Sequence, residues 1–194
     1  MVAEMLVGIR LVRVAPLESD GSIPTSPQWH EIDTPQQANV SVVTRQGQEI
    51  EIRGGDRLLA VITEEDDITG MDVTFQDAAF DLQTLAVIDG GSLTGTAPDQ
   101  EYEPRPIGTP HPRFCAEIYV ARYAEGTSQA SDIVGYTKIY FPNCTGVLSG
   151  LNLQNQTAAA PQFTIRARDH IKENLRFVRF SLVPALPTGS GSGS

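Results

Sequence analysis

Two hydrophobic periods follow one another near the middle of this 194-residue chain. Over residues 71–75 apolar and polar positions alternate, which predicts a strand with one buried face. From Asp81 onward the apolar residues fall at helical spacing instead. Either Asp81 or Asp77 can cap the first turn, and Gly90 can take the left-handed conformation that ends a helix. The pattern therefore predicts a strand followed by a short helix over residues 81–89.

Almost all other regular segments alternate and predict strands. They are residues 2–15, 39–43, 48–52, 58–63, 114–123, 133–141, 162–168 and 175–183. The second and third of them are predicted to form a hairpin around Gln46-Gly47, and Gly54-Gly55-Asp56 predicts a further turn. The predicted fold is mostly β, a two-sheet sandwich or barrel-like domain with one short α-helix and long loops.

Proline, glycine and polar residues separate these strands. Residues 16–37 and 92–113 are predicted to be long irregular loops, 124–132 a hairpin loop and 145–161 a polar link. Two long loops in a compact domain are commonly explained by contact with a partner. Trp29 either pins the first loop to the core of its own chain or hooks onto a neighbouring chain, and the sequence favours neither alternative.

Length and composition predict one domain over residues 1–187, because 40% of the residues are hydrophobic. Residues 188–194 are a flexible Gly-Ser tail that resembles an artificial linker. The amino terminus lacks the pattern of a signal peptide, and no apolar run is long enough to span a bilayer. We therefore expect synthesis in the cytoplasm, no membrane insertion, and free thiols at Cys115 and Cys144.

The charge of the chain argues against a grip on nucleic acid. It has 24 acidic and 14 basic residues and a net charge of -10 at pH 7, and such a chain repels phosphate. Four arginines cluster late in the chain, at positions 166, 168, 176 and 179. Because no aromatic stacking positions accompany them, they are interpreted as interface salt-bridge partners rather than a nucleic-acid groove.

No catalytic or metal-binding pattern is present in the sequence. The histidines His30, His111 and His170 stand far apart, outside any metal-ligand motif, and no Gly-x-Ser-x-Gly occurs. The four adjacent carboxylates at residues 64–67 lack the spacing of a calcium loop, so they predict a solvated acidic corner. The sequence predicts a protein that is not an enzyme and that needs no cofactor and no metal.

Three segments, taken in their order along the chain, carry a family resemblance. Residues 70–91 are a Gly-hydrophobic-Asp-hydrophobic-Thr strand, then Phe-Asp and a Leu-rich helix closed by Gly-Gly. Residues 136–144 are a strand ending in Phe-Pro-Asn, and residues 163–169 are a late strand ending in a polar turn. Over roughly residues 1–185 the chain resembles the major tail tube proteins of long-tailed bacteriophages, which are related to the inner tubes of contractile injection systems.

The resemblance implies a structural virion protein that assembles with itself. Six copies would form a ring, and stacked rings would form the tail tube, with adjoining sheets joined into one inner β-barrel. DNA would pass through without specific binding, and tape-measure, tail-tip and tail-terminator proteins would be further partners. The candidates for the lining of the bore are Glu49, Glu51, Asp72 and Thr74. The candidates for contacts between subunits are Trp29, Arg45, Gln46, Gly47, Arg53, Arg57, Arg105 and His111.

Two alternatives stay open at this level. The first is the inner tube of a contractile injection particle or tailocin, which would conduct effectors or ions instead of a genome. The second belongs to another class, a monomeric or trimeric β-sandwich module for binding or capsid decoration. Such a module would display aromatic residues on one sheet face, whereas only 7% of these residues are aromatic and most fall in apolar phase.

Overall fold

The computed structural model describes residues 4–79, 81–96, 98–124, 133–152 and 160–187. Within these ranges the chain is mostly β with one short α-helix, which confirms the predicted fold class. The strands are β1 Glu4–Pro16, β2 His30–Ile32, β3 Pro35–Arg45, β4 Glu49–Gly54, β5 Arg57–Thr63, β6 Asp67–Asp77, β7 Ser92–Thr94, β8 Glu101–Glu103, β9 Phe114–Ala124, β10 Ile133–Asn152, β11 Ala160–Arg168 and β12 Arg179–Val183. The helix α1 runs over Leu82–Asp89.

The main sheet is antiparallel and follows the order β2-β1-β9-β10-β11-β6-β3. The long strand β10 holds it together. One edge of β10 pairs with β9, and the other edge pairs first with β12 and then with β11. Strands β1 and β3 lie towards opposite ends of this order and still approach one another. The sheet therefore curls around an enclosed core.

Apolar side chains at alternate positions along the strands fill that core, as predicted. Val73 and Phe75 of β6 are fully buried, and the Phe75 ring stacks on Phe163 of β11 with 5.2 Å between centroids. Helix α1 lies over the core because Ile88 packs against Gly146, where a Cβ would stand 2.6 Å from the Ile88 side chain. The buried cluster comprises Val12, Val14, Ile32, Val73, Phe75, Leu85, Ile88, Phe114, Ala116, Ile118, Phe141, Cys144, Phe163, Ile165 and Ala167.

The ends of α1 are those predicted from the sequence. Asp81 is the N-cap, and its carboxylate accepts hydrogen bonds from the backbone N–H groups of Gln83 and Thr84. Gly90 takes the left-handed conformation, with φ of 86°, and its N–H bonds to the carbonyl of Ala86. The strand-then-helix prediction is confirmed.

The predicted hairpin between residues 39–43 and 48–52 is wrong. Strand β3 pairs with β6, in a register from Pro35 opposite Asp77 to Arg45 opposite Asp67. Strand β4 pairs with β5 instead. The turn forms at Gly54-Gly55 because Gly55 takes a φ of 66°, a conformation that costs glycine little and that Gln-Gly at residues 46–47 does not adopt.

Other predicted boundaries need correction. The first long loop contains β2 and the start of β3, and the second contains the small β7–β8 hairpin. The polar link predicted over 145–161 is wrong where the structure describes it, because β10 continues to Asn152 and β11 begins at Ala160. Residues 125–132, 153–159 and 188–194 lie outside the described residues. Cys115 and Cys144 are free and buried, which confirms that prediction.

Candidate assembly surface

Strands β4 and β5 form a two-stranded ribbon over residues 49–63, which we call the arm. Every residue of the arm is exposed. The two strands pair with each other, and no other described strand pairs with either of them. A two-stranded ribbon is marginally stable in water unless another surface covers one of its faces. The arm is therefore a feature that a partner would complete.

The arm has one apolar face. Ile50 stands opposite Ile62 and Ile52 opposite Ala60, so these four side chains share a face. The three isoleucines are 49%, 43% and 51% exposed in chain order. Monomeric soluble proteins rarely leave such a contiguous aliphatic stripe in water, and a stripe of this kind commonly marks an interaction surface. The opposite face is mixed, because it carries Glu49 and Glu51 together with Thr63 and the exposed Val61.

The arm leaves the main sheet through a bend that only glycine permits. The N–H of Gly47 donates to Asp66 Oδ1 at 2.9 Å, and the N–H of Glu64 donates to the carbonyl of Gln48 at 2.9 Å. A Cβ at Gly47 would stand 1.8 Å from the carbonyl oxygen of Glu64, so any larger residue would displace the base of the arm. The acidic corner at residues 64–67 is exposed beside this bend, and the described residues contain no cluster suited to a metal ion.

The four residues predicted to line a bore lie on two separate sheets. Glu49 and Glu51 are on the arm, whereas Asp72 and Thr74 are half-buried on the face of β6 that points away from the core. Glu51 pairs with Arg53, at 2.7 Å. Asp72 also has a cationic partner, Arg168. The subunit does not bring the four side chains into one unpaired acidic surface.

One arginine of β11 pairs with the acidic residue of the predicted lining on β6. Arg168 Nη1 lies 3.0 Å from Asp72 Oδ1. Arg166 stands directly opposite Asp72 in the antiparallel register. Both arginines belong to the late cluster that the sequence predicts to be salt-bridge partners at an interface, whereas the contact of Arg168 with Asp72 lies within one chain.

Seven of the eight residues predicted to contact neighbouring subunits lie on or beside the arm or in the second long loop. Residues 45–47 are at the base of the arm, and Arg53 and Arg57 lie along it. Arg105 and His111 contact each other in the second long loop, with Nη2 of the arginine 2.7 Å from Nε2 of the histidine. Arg105 also donates to the carbonyl of Thr109. Five of these residues therefore lie on or beside the exposed arm.

Trp29, the remaining predicted contact, packs on its own chain. The Arg13 guanidinium lies over the Trp29 ring, 4.3 Å from the centroid, and the indole is half-buried. This contact corresponds to the first of the two alternatives for Trp29, a loop pinned to its own domain.

Beneath Trp29 lies a buried charge cluster that sequence reasoning missed. Glu117 is 4% exposed and accepts hydrogen bonds from Arg13 Nε at 2.5 Å, Tyr119 Oη at 2.6 Å and Lys138 Nζ at 3.4 Å. Burial, together with the bond to Glu117, raises the pKa of Tyr119. Alternation alone places Glu117 on a solvated face. A sequence signal for this cluster does exist. Oppositely charged residues occur on three strands that pair, at positions that place them on the same face of the sheet.

A second uncovered apolar surface lies on β12. Phe180 is 64% exposed and Leu182 is 67% exposed. They stand opposite Ile139 and Thr137 of β10, on the face of the sheet that forms the core elsewhere. We call Phe180, Leu182 and Ile139 the β12 face. The sequence predicted the strand but held no signal that its apolar side would stay uncovered.

Comparison with protein-family models and with curated proteins finds no match for this chain. Among the described residues, no helix is long and apolar enough to cross a membrane. The function must therefore be inferred from the surfaces of the chain itself, above all from the arm and the β12 face.

Proposed function

We propose that this protein is a structural subunit that polymerises with copies of itself, as stacked hexameric rings, into the tail tube of a bacteriophage. The tube would serve as a conduit for DNA, and tape-measure, tail-tip and tail-terminator proteins would be its further partners. The observation that carries the proposal is the arm, an exposed ribbon whose isoleucine face has no cover in the described chain. The order of family-like segments along the sequence adds support.

The ends of the main sheet also favour self-association. Strand β3 pairs with β6 along one edge, and no described strand pairs with its other edge. At the opposite end, β2 covers only residues 12–14 of β1, and the exposed side chains of Met5, Leu6 and Val7 lie in the uncovered part. Open edges of this kind invite pairing with another chain. Head-to-tail contacts between two different surfaces produce rings when they close and filaments when they do not.

The charge of the subunit suits a wall that DNA must not bind. A net charge of -10 repels phosphate, and the arm with the acidic corner contributes much of it. Glu49, Glu51, Asp72 and Thr74 remain the proposed lining. Because Arg168 pairs with Asp72 and Arg53 pairs with Glu51, Glu49 would supply more of the repulsion than either of those carboxylates.

Negative-stain electron microscopy of the purified protein at high concentration tests the proposal. We expect hollow rings or filaments from the native chain. We expect dispersed subunits from the double variant Ile50→Ser, Ile62→Ser, because both changes fall on the apolar face of the arm. The matched control is Glu49→Gln with Thr63→Ser on the opposite face, which should still assemble.

The proposal would be overturned by a native chain that stays monomeric under every salt and concentration condition, above all if it binds a sugar or another small ligand, as a β-sandwich binding module would. Normal tubes from the Ile50→Ser, Ile62→Ser variant would leave the tube in place and would instead show that the apolar face of the arm does not mediate assembly. Circular dichroism of each variant would show whether the fold itself is retained.

A further inference from the structure

We propose that the β12 face is the surface on which the arm of a second copy docks. This inference rests on the proposed self-assembly and adds to it the acceptor for the arm. The proposed contact would cover two exposed apolar surfaces, the arm of one copy and the β12 face of another. This inference also predicts which strand of a neighbouring subunit the isoleucine stripe meets.

The β12 face belongs to the same side of the main sheet as the core, but at β12 that side is exposed to solvent. One cross-strand row runs through Val12, Ile118, Ile139 and Phe180, on β1, β9, β10 and β12 in turn. Val12 and Ile118 are buried, Ile139 is half-buried, and Phe180 is 64% exposed. The core face of the sheet therefore ends in an aromatic ring that no described element covers.

Charge complementarity identifies the occupant as the arm. Residues 49–67, the arm and the acidic corner, hold seven acidic and two basic side chains. Residues 160–187, which include β12, hold five basic and two acidic side chains, and three of the basic ones, Arg168, Lys172 and Arg176, already pair within the chain. Arg179 begins β12 and has no ion-pair partner among the described residues. Opposite potentials of this kind steer association and fix its orientation.

The contact must be between copies. The isoleucines of the arm and the side chains of the β12 face are exposed in the same subunit, so the arm does not cover its own β12 face. Donor and acceptor are also different surfaces. Such a heterologous contact repeats from one copy to the next, as a polymer requires.

Cross-linking between two variants that each gain one exposed cysteine tests the contact directly. Ile62→Cys places a thiol on the apolar face of the arm, and Leu182→Cys places one on the β12 face. In a mixture of the two full-length variants, a short bismaleimide should link them into a heterodimer. Cys115 and Cys144 should stay silent because both are buried, and burial raises the pKa of Cys115 to about 11.

Ile171→Cys provides the matched control. Ile171 is 91% exposed and lies in the same basic region as β12, but outside the β12 face. We expect its yield of cross-link with Ile62→Cys to be at least tenfold lower. Equal yields for position 171 and position 182 would overturn the inference. No cross-link in samples that do form rings or filaments would overturn this inference alone, whereas no cross-link and no polymer would contradict the proposed function as well.

Charge reversal gives a second, independent measurement. Arg179→Glu should raise the concentration needed for polymerisation roughly twofold to fivefold, the equivalent of about one exposed ion pair between copies. Adding Glu64→Lys with Glu65→Lys in the same chain should restore assembly. Failure of this rescue, with both variants folded, would contradict the pairing of the acidic corner with the basic segment.

Discussion

The arm and the strand β9 were both predicted as strands from alternating apolar and polar residues, but the arm is exposed whereas β9 is largely buried. From Phe114 to Tyr119 every residue of β9 is buried, because both faces of that strand are covered. Every residue of the arm is exposed. Strand formation therefore depends on local pattern and pairing, whereas burial depends on what the rest of the molecule lays over each face. In β9 the cover comes from the same chain, and in the arm it is proposed to come from another copy.

Their carboxylates show the same contrast. Glu117 of β9 is 4% exposed and binds Arg13, Tyr119 and Lys138. The side chain of Glu51 on the arm is 46% exposed and pairs with Arg53. Solvent screens an exposed pair to a small net contribution, whereas a buried carboxylate that loses its partners is costly. The free energy of unfolding of the subunit should therefore be sensitive to changes around β9 and insensitive to changes in the arm.

The largest expected difference is between Phe75→Ala and Ile62→Ala. Phe75 is fully buried and stacks on Phe163, so its removal should lower the free energy of unfolding by about 3–5 kcal/mol. Ile62 is 51% exposed, and its removal should cost about 0.5 kcal/mol or less. Urea titration under conditions that keep the chain monomeric would measure both. Equal losses would show that the arm is part of the subunit core.

The second comparison is Glu117→Ala against Glu51→Ala. Removal of the Glu117 carboxylate leaves Arg13 and Lys138 without their shared anion, and we expect a loss of about 3 kcal/mol. Glu51→Ala breaks an exposed pair and should change stability by about 0.5 kcal/mol or less. Urea titration again decides. A Glu117→Ala variant as stable as the native chain would mean that water reaches the site and replaces the lost carboxylate.

The sequence predicted elements whose signals are local. The helix over 82–89 carried its own cap at Asp81 and its own stop at Gly90, so its ends were readable from neighbouring residues. Alternation along β6 likewise identified Val73 and Phe75 as core. Both signals span a few residues and do not depend on the rest of the chain.

What the sequence could not predict is non-local. The partner of β3 lies beyond the arm, on β6, and a pairing at that separation leaves no mark in either segment alone. Sequence reasoning joined the nearest alternating segments and so placed the turn at Gln46-Gly47. The exposure of Phe180 was equally hidden, because alternation distinguishes two faces but not whether a face is covered.

Trp29→Ala tests a residue that is only half-buried, and so lies between the buried core and the exposed arm. If the ring mainly shields the Arg13–Glu117 pair, as the 4.3 Å stacking distance indicates, its removal should destabilise the monomer by about 1–2 kcal/mol. Trp29→Phe keeps an aromatic face and should recover part of the loss. A variant with unchanged monomer stability and lost polymerisation would instead assign Trp29 to a neighbouring subunit, with the arm.

The smallest expected effect concerns Asp81, the N-cap of α1. This helix lies over the buried core and not on the exposed arm. The Asp81 carboxylate accepts from the N–H groups of Gln83 and Thr84 at 3.1 and 2.9 Å. Burial opposes its ionisation, but the hydrogen bonds from Thr84 and Gln83 outweigh burial and lower the pKa of Asp81. Asp81→Ala should therefore lower the free energy of unfolding by about 1 kcal/mol at neutral pH.

The sign of the pH dependence follows from that lowered pKa. The contribution of the Asp81 carboxylate is fully present above the pKa of an unfolded aspartate, about 3.9, and is lost as the pH falls through the lower folded value. The stability gap between the native chain and Asp81→Ala should thus shrink below about pH 4 in urea titrations. An asparagine at position 81 can still cap the helix but does not titrate. The difference in stability between Asp81→Asn and Asp81→Ala should therefore stay nearly constant with pH. A native gap that did not shrink in acid would show that the charge of Asp81 adds nothing to the cap. Since the Asp81 carboxylate bonds to residues of α1 and not to the arm, none of these changes should alter polymerisation at neutral pH.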